Sequence, residues 1–425
     1  MACMWPGSRG PVTVVAIVIL GVVGACTGGA DAGSALGPLR TDSAGVEMVL
    51  NRITATAVPV FATLDSLPTL RLGSLDGRPE EQFGTVADVQ PLPDGGVAVL
   101  DGQAAEIRLF DSEGEYQTSL GSKGRGPGEL QRPNELALLP GDTLAVYDAA
   151  AMRITHFGPD GALGRIITLQ GNRARVVLAS FLPDGRLVGQ SPWLGPTRGS
   201  PPGQEPTFVR DTVVLTLFTT DGAIDDTVDV LPGREAIQTI DVSERSVSIS
   251  KRPPAFGRTN LFAPHPEGVW SSTNDRFELR LREPGSGRLL RMIRARGLEQ
   301  PVTDELAQEV HDRALAEAET AADRRRAATW YALSPRPETL PAYDRIVVDD
   351  HARLWVRAWS ALDPATRWWV FDAGGELLGV VDVPGGTTIT SVRCRTVWGV
   401  EQDHLDVSYV VRYALQGIEA VAHCD

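Results

Sequence analysis

From residue 86 onward, apolar residues fall at alternate positions in short runs bounded by Gly, Pro, Asp or Ser. That is the signature of strands joined by tight turns. One run recurs. Gly96-Val97-Ala98-Val99-Leu100-Asp101 and Thr143-Leu144-Ala145-Val146-Tyr147-Asp148 each follow a turn built from Pro, Asp and Gly, and weaker copies at 186–188, 268–270, 353–355 and 396–398 bring the number to six. Another alternating run comes after each copy, at 107–110, 154–157, 213–218, 277–281, 368–371 and 407–413, and Asp-Gly or Gly-rich turns close most of them. Upstream, first strands end in Leu92-Pro93-Asp94-Gly95, Leu139-Pro140-Gly141-Asp142 and Leu182-Pro183-Asp184-Gly185. Fourth strands are expected at 115–121, 163–170, 224–231, 289–296 and 377–383, and the sixth copy lacks one. Leu70-Arg71-Leu72-Gly73-Ser74 precedes the first copy as Thr118-Ser119-Leu120-Gly121-Ser122 precedes the second. This N-terminal strand is expected to complete the last unit, which leaves no open sheet edge.

Residues 121–163, GSKGRGPGELQRPNELALLPGDTLAVYDAAAMRITHFGPDGAL, resemble the NHL-type repeat of bacterial six-bladed β-propeller proteins, and the match is best over 73–170. The resemblance implies an all-β chain: a six-bladed β-propeller over residues 46–425, closed by an N-terminal strand. Blades 3 to 6 keep the strand pattern and lose the Gly-rich linker, so the resemblance bears on fold and hardly on ligand. Family members are diverse binding and scaffold modules, with a minority of enzymes. A length of 425 residues would otherwise suggest two or three domains, and repetition overrides that expectation.

The departures from the repeat are three insertions, at 191–210, 232–260 and 298–342, all in connections expected on one face of a propeller. Long loops on a rigid scaffold are where binding concentrates. The third insertion, between blades 4 and 5, predicts a helix with Thr303 as N-cap, Asp304 and Glu305 in the first turn, and an apolar stripe of Leu306, Val310, Ala314 and Ala318. Arg324-Arg325-Arg326 is read as its cationic C-terminal turn. Trp193, Arg198, Arg325, Trp330 and Tyr331 form either a recognition patch for a protein, peptide or glycan, or a small core that anchors the loops. Trp270, Trp355 and Trp398 stand at one position in three successive blades, which points to packing between blades.

The N-terminus adds an address. Arg9 is followed by an apolar stretch from Val12 to Val23, too short to span a bilayer comfortably. Val23-Gly24-Ala25-Cys26 resembles the lipobox of bacterial lipoproteins, which implies a signal peptide over 1–25, a lipid on Cys26 and, from the residue that follows, sorting to the outer membrane. Residues 26–45 read as a flexible tether. An exported chain makes a disulfide between Cys394 and Cys424 plausible chemistry, with free thiols the alternative. The formal charge of -14 excludes nucleic acid and anionic lipid as main partners, so contact with a membrane is expected through the lipid alone. A monomer is expected.

No nucleophile elbow occurs, the six His lack zinc spacing, and Gly121-Ser122-Lys123-Gly124-Arg125-Gly126 lacks the order of a phosphate loop. Binding without a cofactor is therefore the leading expectation. The alternative is a hydrolase or lyase using Ca2+ or another divalent metal. By analogy with six-bladed lactonases, its candidates at the inner strand starts are Asp88, Asn134, Glu135 and Asp344.

Overall fold

The computed structural model describes residues 37–54, 58–171, 175–192, 206–242, 247–362 and 366–417. Their strands make one short ribbon and six sheets of four to six strands, taken up in chain order. The first sheet runs Val86–Pro91, Val97–Asp101, Glu106–Phe110, Tyr116–Leu120, each strand antiparallel to the last, and the second repeats the plan from Pro133–Leu139 to Leu163–Thr168. Sheets three to six start from Leu178–Phe181, Asn260–His265, Tyr343–Val348 and Thr388–Arg393.

Second strands explain why sheets stack. Every residue of Val97–Asp101 is buried, because both faces of the strand are covered. Ala98 and Leu100 pack with Leu136 and Val146 of the second sheet, whereas Val97 and Val99 pack with Trp398 and Val410 of the sixth. Alternation thus serves two neighbours at once. Equivalent apolar clusters lie between sheets two and three, three and four, four and five, and five and six. First strands neighbour one another in the same order, and Thr388–Arg393 neighbours Val86–Pro91. Trp270, Trp355 and Trp398, each no more than 2% exposed, all sit in these inter-sheet clusters. Leu70–Leu72 pairs antiparallel with Ser408–Gln416, Leu72 opposite Val410.

A buried carboxylate fixes how the chain enters each of the first two sheets. Asp101 accepts from the backbone N–H groups of Gly84, Thr85, Gln103 and Ala104, and Asp148 from those of Gln131, Arg132, Ala150 and Ala151. Asn274 holds that position in the fourth sheet. Its Oδ1 accepts from Thr259 N–H, and its Nδ2 donates to the Tyr343 carbonyl of the next sheet. In the tight turn before Val97, Gly95 takes φ +88°, a conformation that suits glycine.

Three expectations are corrected. Residues 39–45 are a strand and its turn, not tether: Leu39–Ser43 pairs with Val46–Arg52, which joins the fourth sheet parallel to Leu289–Arg296. The alternation Val46-Glu47-Met48-Val49-Leu50 supplies the strand, with Val49 1% exposed. Most of 232–260 is also strand. Thr207–Phe218 and Ile224–Val242 extend the third sheet as a long hairpin, to which Val247–Arg252 adds. Finally, the helical insertion holds two helices, α1 (Asp304–Ala316) and α2 (Ala321–Leu333). Thr303 caps α1 as expected, its Oγ1 accepting from Leu306 N–H at 3.2 Å. Thr320 then caps α2 in a reciprocal box with Asp323, so Arg324, Arg325 and Arg326 lie in the first half of a helix rather than in a last turn. Among the described residues no helix is long and apolar enough to cross a membrane.

Candidate functional site

In four of the six first strands the pairing register slips by one residue, between Val86 and Asp88, Pro133 and Glu135, Tyr343 and Arg345, and Ile389 and Ser391. Such bulges re-aim side chains and recur beside functional sites. In sheets one, two and five they place Asp88, Glu135 and Arg345 at equivalent positions, opposite Leu100, Tyr147 and Arg357, whereas in the sixth sheet the slip falls further along the strand and Ser391 stands opposite Trp398.

Two of these residues reach to the next sheet. Asp88 accepts from Val89 N–H and, across the sheet boundary, from Leu136 N–H, both at 2.8 Å. Glu135 accepts from the Ser180 hydroxyl at 2.8 Å. Burial pushes the Asp88 carboxyl up to about 6, against the pull of those N–H groups and of the Arg345 charge. Burial, and then the Asp88 charge, raise Glu135 well above the ordinary carboxylate range. Both carboxyls therefore hold a proton more tightly than isolated carboxyls do. Arg345 is held below its usual value by burial and by Arg357, with Asp344 and Asp88 pulling the other way.

Beside Arg345 opens a cavity of about 350 Å³, lined by Arg234, Glu235, Arg258, Asp344, Arg345 and Arg357 among others. Asp344 and Arg357 form a bidentate pair at 2.6 and 3.1 Å. Glu235 accepts from Arg258 N–H at 2.8 Å and lies 3.4 Å from Arg210. Nε of Arg345 and Nε of Arg258 are buried without a hydrogen-bond partner.

The insertions build one wall. Phe256 of the second insertion packs with Val302, Ala307 and Val310 of the third, against Tyr331 and Trp359. Trp330 donates from Nε1 to the Pro253 carbonyl at 2.7 Å, and Arg252 stacks over its ring. Tyr331 donates to the Ala307 carbonyl and stacks on His311. Trp330 thus ties the third insertion to the second, Tyr331 ties α2 to α1, and Arg325 is exposed on α2. Trp193 and Arg198 lie outside the described residues, as do Cys26 and Cys424. Cys394 is disulfide-bonded, and its N–H donates to Asp350.

Of the four candidates for a metal, Asp88 and Glu135 are brought together. Asp344 is committed to Arg357, and Asn134 donates from Nδ2 to the Val177 carbonyl while its Oδ1 is buried without a partner. With the Arg345 guanidinium already acting on Asp88, the set does not fit a divalent cation. The His-containing cluster Asp349, Asp350, His351 fits no better, because Asp349 already serves Arg353 and Trp355.

Sequence reasoning missed Arg345, Arg258, Arg357 and Ser180. The signal was present: Arg345 follows Asp344 as Glu135 follows Asn134. A larger cavity, about 500 Å³, lies at the turns between first and second strands, beside Cys394. Its guanidinium groups are in use, Arg412 on Ser112 O and Thr69, and Arg393 on Pro91 O.

No family model and no curated protein matches the chain. Among solved structures, the chain is similar to a Bacteroides fragilis protein described as exported, at 12% identity and TM-score 0.46, over 87% of this chain and 100% of the other. It is also similar to a gluconolactonase from Xanthomonas campestris (12%, TM-score 0.38, 83% and 99%) and to virginiamycin B lyase from Staphylococcus aureus (13%, TM-score 0.39, 82% and 99%). Likeness at this level transfers no chemistry.

Proposed function

We propose that this chain is an exported, lipid-anchored binding protein: a six-bladed β-propeller closed by Leu70–Leu72, which takes its ligand at the insertion-bearing end of a central channel. The cyclic order of first-strand neighbours and the six inter-sheet clusters support the ring. One observation carries the function: the second insertion, against which the third packs, walls a cavity whose floor is the Asp344–Arg345 segment of a first strand. Rigid sheets hold that floor, and insertions shape its mouth. The anchor is the lipid on Cys26, and the Cys394–Cys424 disulfide belongs to the same exported reading.

The test uses photo-crosslinking residues placed in the full chain in its native envelope, at Arg234 beside the cavity and at Asp94 on the opposite turns. Adducts from position 234 and none from 94 are expected. Adducts only from 94 sink the reading.

A second reading, a hydrolase or lyase, is favoured by the Asp88–Glu135 pair, since raised carboxyls on a shared surface are suited to general acid work. Loss of a measured turnover in both Asp88→Asn and Glu135→Gln, with binding retained, would support it.

A further inference from the structure

The cavity's charges do not cancel. Four guanidinium groups line it against two carboxylates, and both carboxylates are engaged, Asp344 by Arg357 and Glu235 by a backbone N–H and Arg210. Arg258 shares Asp275 with Arg210, and its contact to that acid is long, at 3.4 Å. Arg345 makes no ion pair among the described residues, and its buried Nε has no acceptor. A buried donor left unsatisfied is costly, and a buried unpaired cation more so, unless something else supplies the oxygens. In a chain of net charge -14, this local cationic surplus runs against the general field.

We propose that the cavity binds a small organic anion, seating its carboxylate or phosphate oxygens on Arg345 and Arg258 with Arg234 at the rim. Guanidinium is the side chain whose donor fork matches both oxyanions. The register slip at Tyr343–Arg345 places the Arg345 backbone, and Arg357 stands directly opposite it in the register. The Asp344–Arg357 pair braces that position, so the donors are set before the ligand arrives. A volume of about 350 Å³ admits a ligand larger than the bare ion. Arg234 is exposed at the edge of the cavity, where a second anionic group or the tail of the ligand would pass. The inference rests on the binding reading for its location and adds the ligand's chemistry.

The soluble chain starting after Cys26 is titrated with inorganic phosphate and, separately, with succinate, each against chloride at matched ionic strength, and followed by thermal shift and calorimetry. A saturable stabilisation by one of the two is expected, because a ligand of the native state must raise its stability. The stronger arm identifies the oxyanion. Arg345→Met should weaken that response by about tenfold or more, as loss of a charge-assisted hydrogen bond does, and Arg345→Lys should weaken it less. Should Arg345→Met fail to fold, Arg234→Gln at the exposed rim carries the test, with a severalfold loss expected. No saturable response from either anion, or a response undiminished in a folded Arg345→Met and in Arg234→Gln, overturns the proposal. Crosslinks at position 234 without an anion response would sink the anion and leave the binding reading. An anion response with crosslinks only at position 94 would do the reverse.

Discussion

Replacing Asp88 by Asn separates the cost of its buried charge from the value of its hydrogen bonds. The native carboxyl sits at about 6, against an ordinary 3.8, so it binds its proton more tightly than the unfolded chain does. Below about pH 4 both states are protonated and nothing is lost. Between about 4 and 6 the unfolded chain has released its proton while the native chain has not, so native stability falls as pH rises, and above about 6 the loss is complete. Two pH units correspond to about 3 kcal/mol, an upper figure because the side chain keeps some contact with solvent. Asn carries no charge but offers one carbonyl oxygen where Asp88 uses two, Oδ1 for Val89 and Oδ2 for Leu136, so one bond worth about 1 kcal/mol goes. Asp88→Asn should therefore be less stable than wild type by about 1 kcal/mol near pH 4 and more stable by about 2 kcal/mol near pH 7.5. Removing the Asp88 charge also relieves Glu135, which adds in the same direction at high pH. Urea midpoints of the two proteins measured from pH 4 to 8 read the difference directly. A difference that is flat, or that favours wild type increasingly as pH rises, refutes the account of the pair.

Other consequences can be checked independently. Asp148→Ala removes the acceptor of four backbone N–H groups in a fully buried place and should lower stability by about 3 kcal/mol or more, with Asp148→Asn recovering part of it, both read from urea midpoints. Trp330→Ala deletes the bond to Pro253 and the stack under Arg252, so hydrogen exchange in α2 should quicken while the sheets keep their protection. Cys26→Ser should abolish metabolic fatty-acid labelling and release the protein from the membrane fraction. Labelling unchanged in that variant would remove the anchor from the proposal.

How much of this could be read beforehand follows from where each signal resides. Second and third strands were legible because a strand covered on both faces must be apolar at nearly every position, as in Val97–Asp101, and because Pro-Asp-Gly turns mark its start. The outer half of the long hairpin was not. Thr207–Phe218 and Ile224–Val242 carry polar residues through most of their outer halves, Arg210, Asp211, Arg234 and Glu235 among them, so their alternation is weak and their composition reads as loop. Leu39–Ser43 escaped for the same reason: all five residues are exposed, and the strand exists because Val46–Arg52 beside it is paired on its other edge to Leu289–Arg296. In the helical insertion, Thr303 announced α1, but the break at 317–320 depends on a second cap at Thr320 whose box partner is Asp rather than the commoner Glu or Gln.

The candidate site was half visible, and the division is instructive. Asp88, Asn134, Glu135 and Asp344 stood out as acids and amides at strand starts, yet position along the chain does not say which of them share a space. Packing between sheets decides it: Asp88 meets the second sheet through Leu136 N–H, and Glu135 meets the third through Ser180. Arg345 carries no such mark, because a base at a strand start belongs to no metal-ligand set. Its register position is that of Asp88 and Glu135, so one site in the repeat carries an acid, an acid and a base in sheets one, two and five. The residue that follows that site is held by core packing in each sheet, Val89 at 2%, Leu136 at 3% and Ile346 at 8% exposure, and cannot change character without opening a cavity. The residue after the bulge is free of that demand. A repeat that fixes its core and releases one position per sheet can place opposite charges a sheet or two apart on a common rigid frame, and here that places two acids of raised proton affinity near a guanidinium whose oxygens must come from outside the described chain.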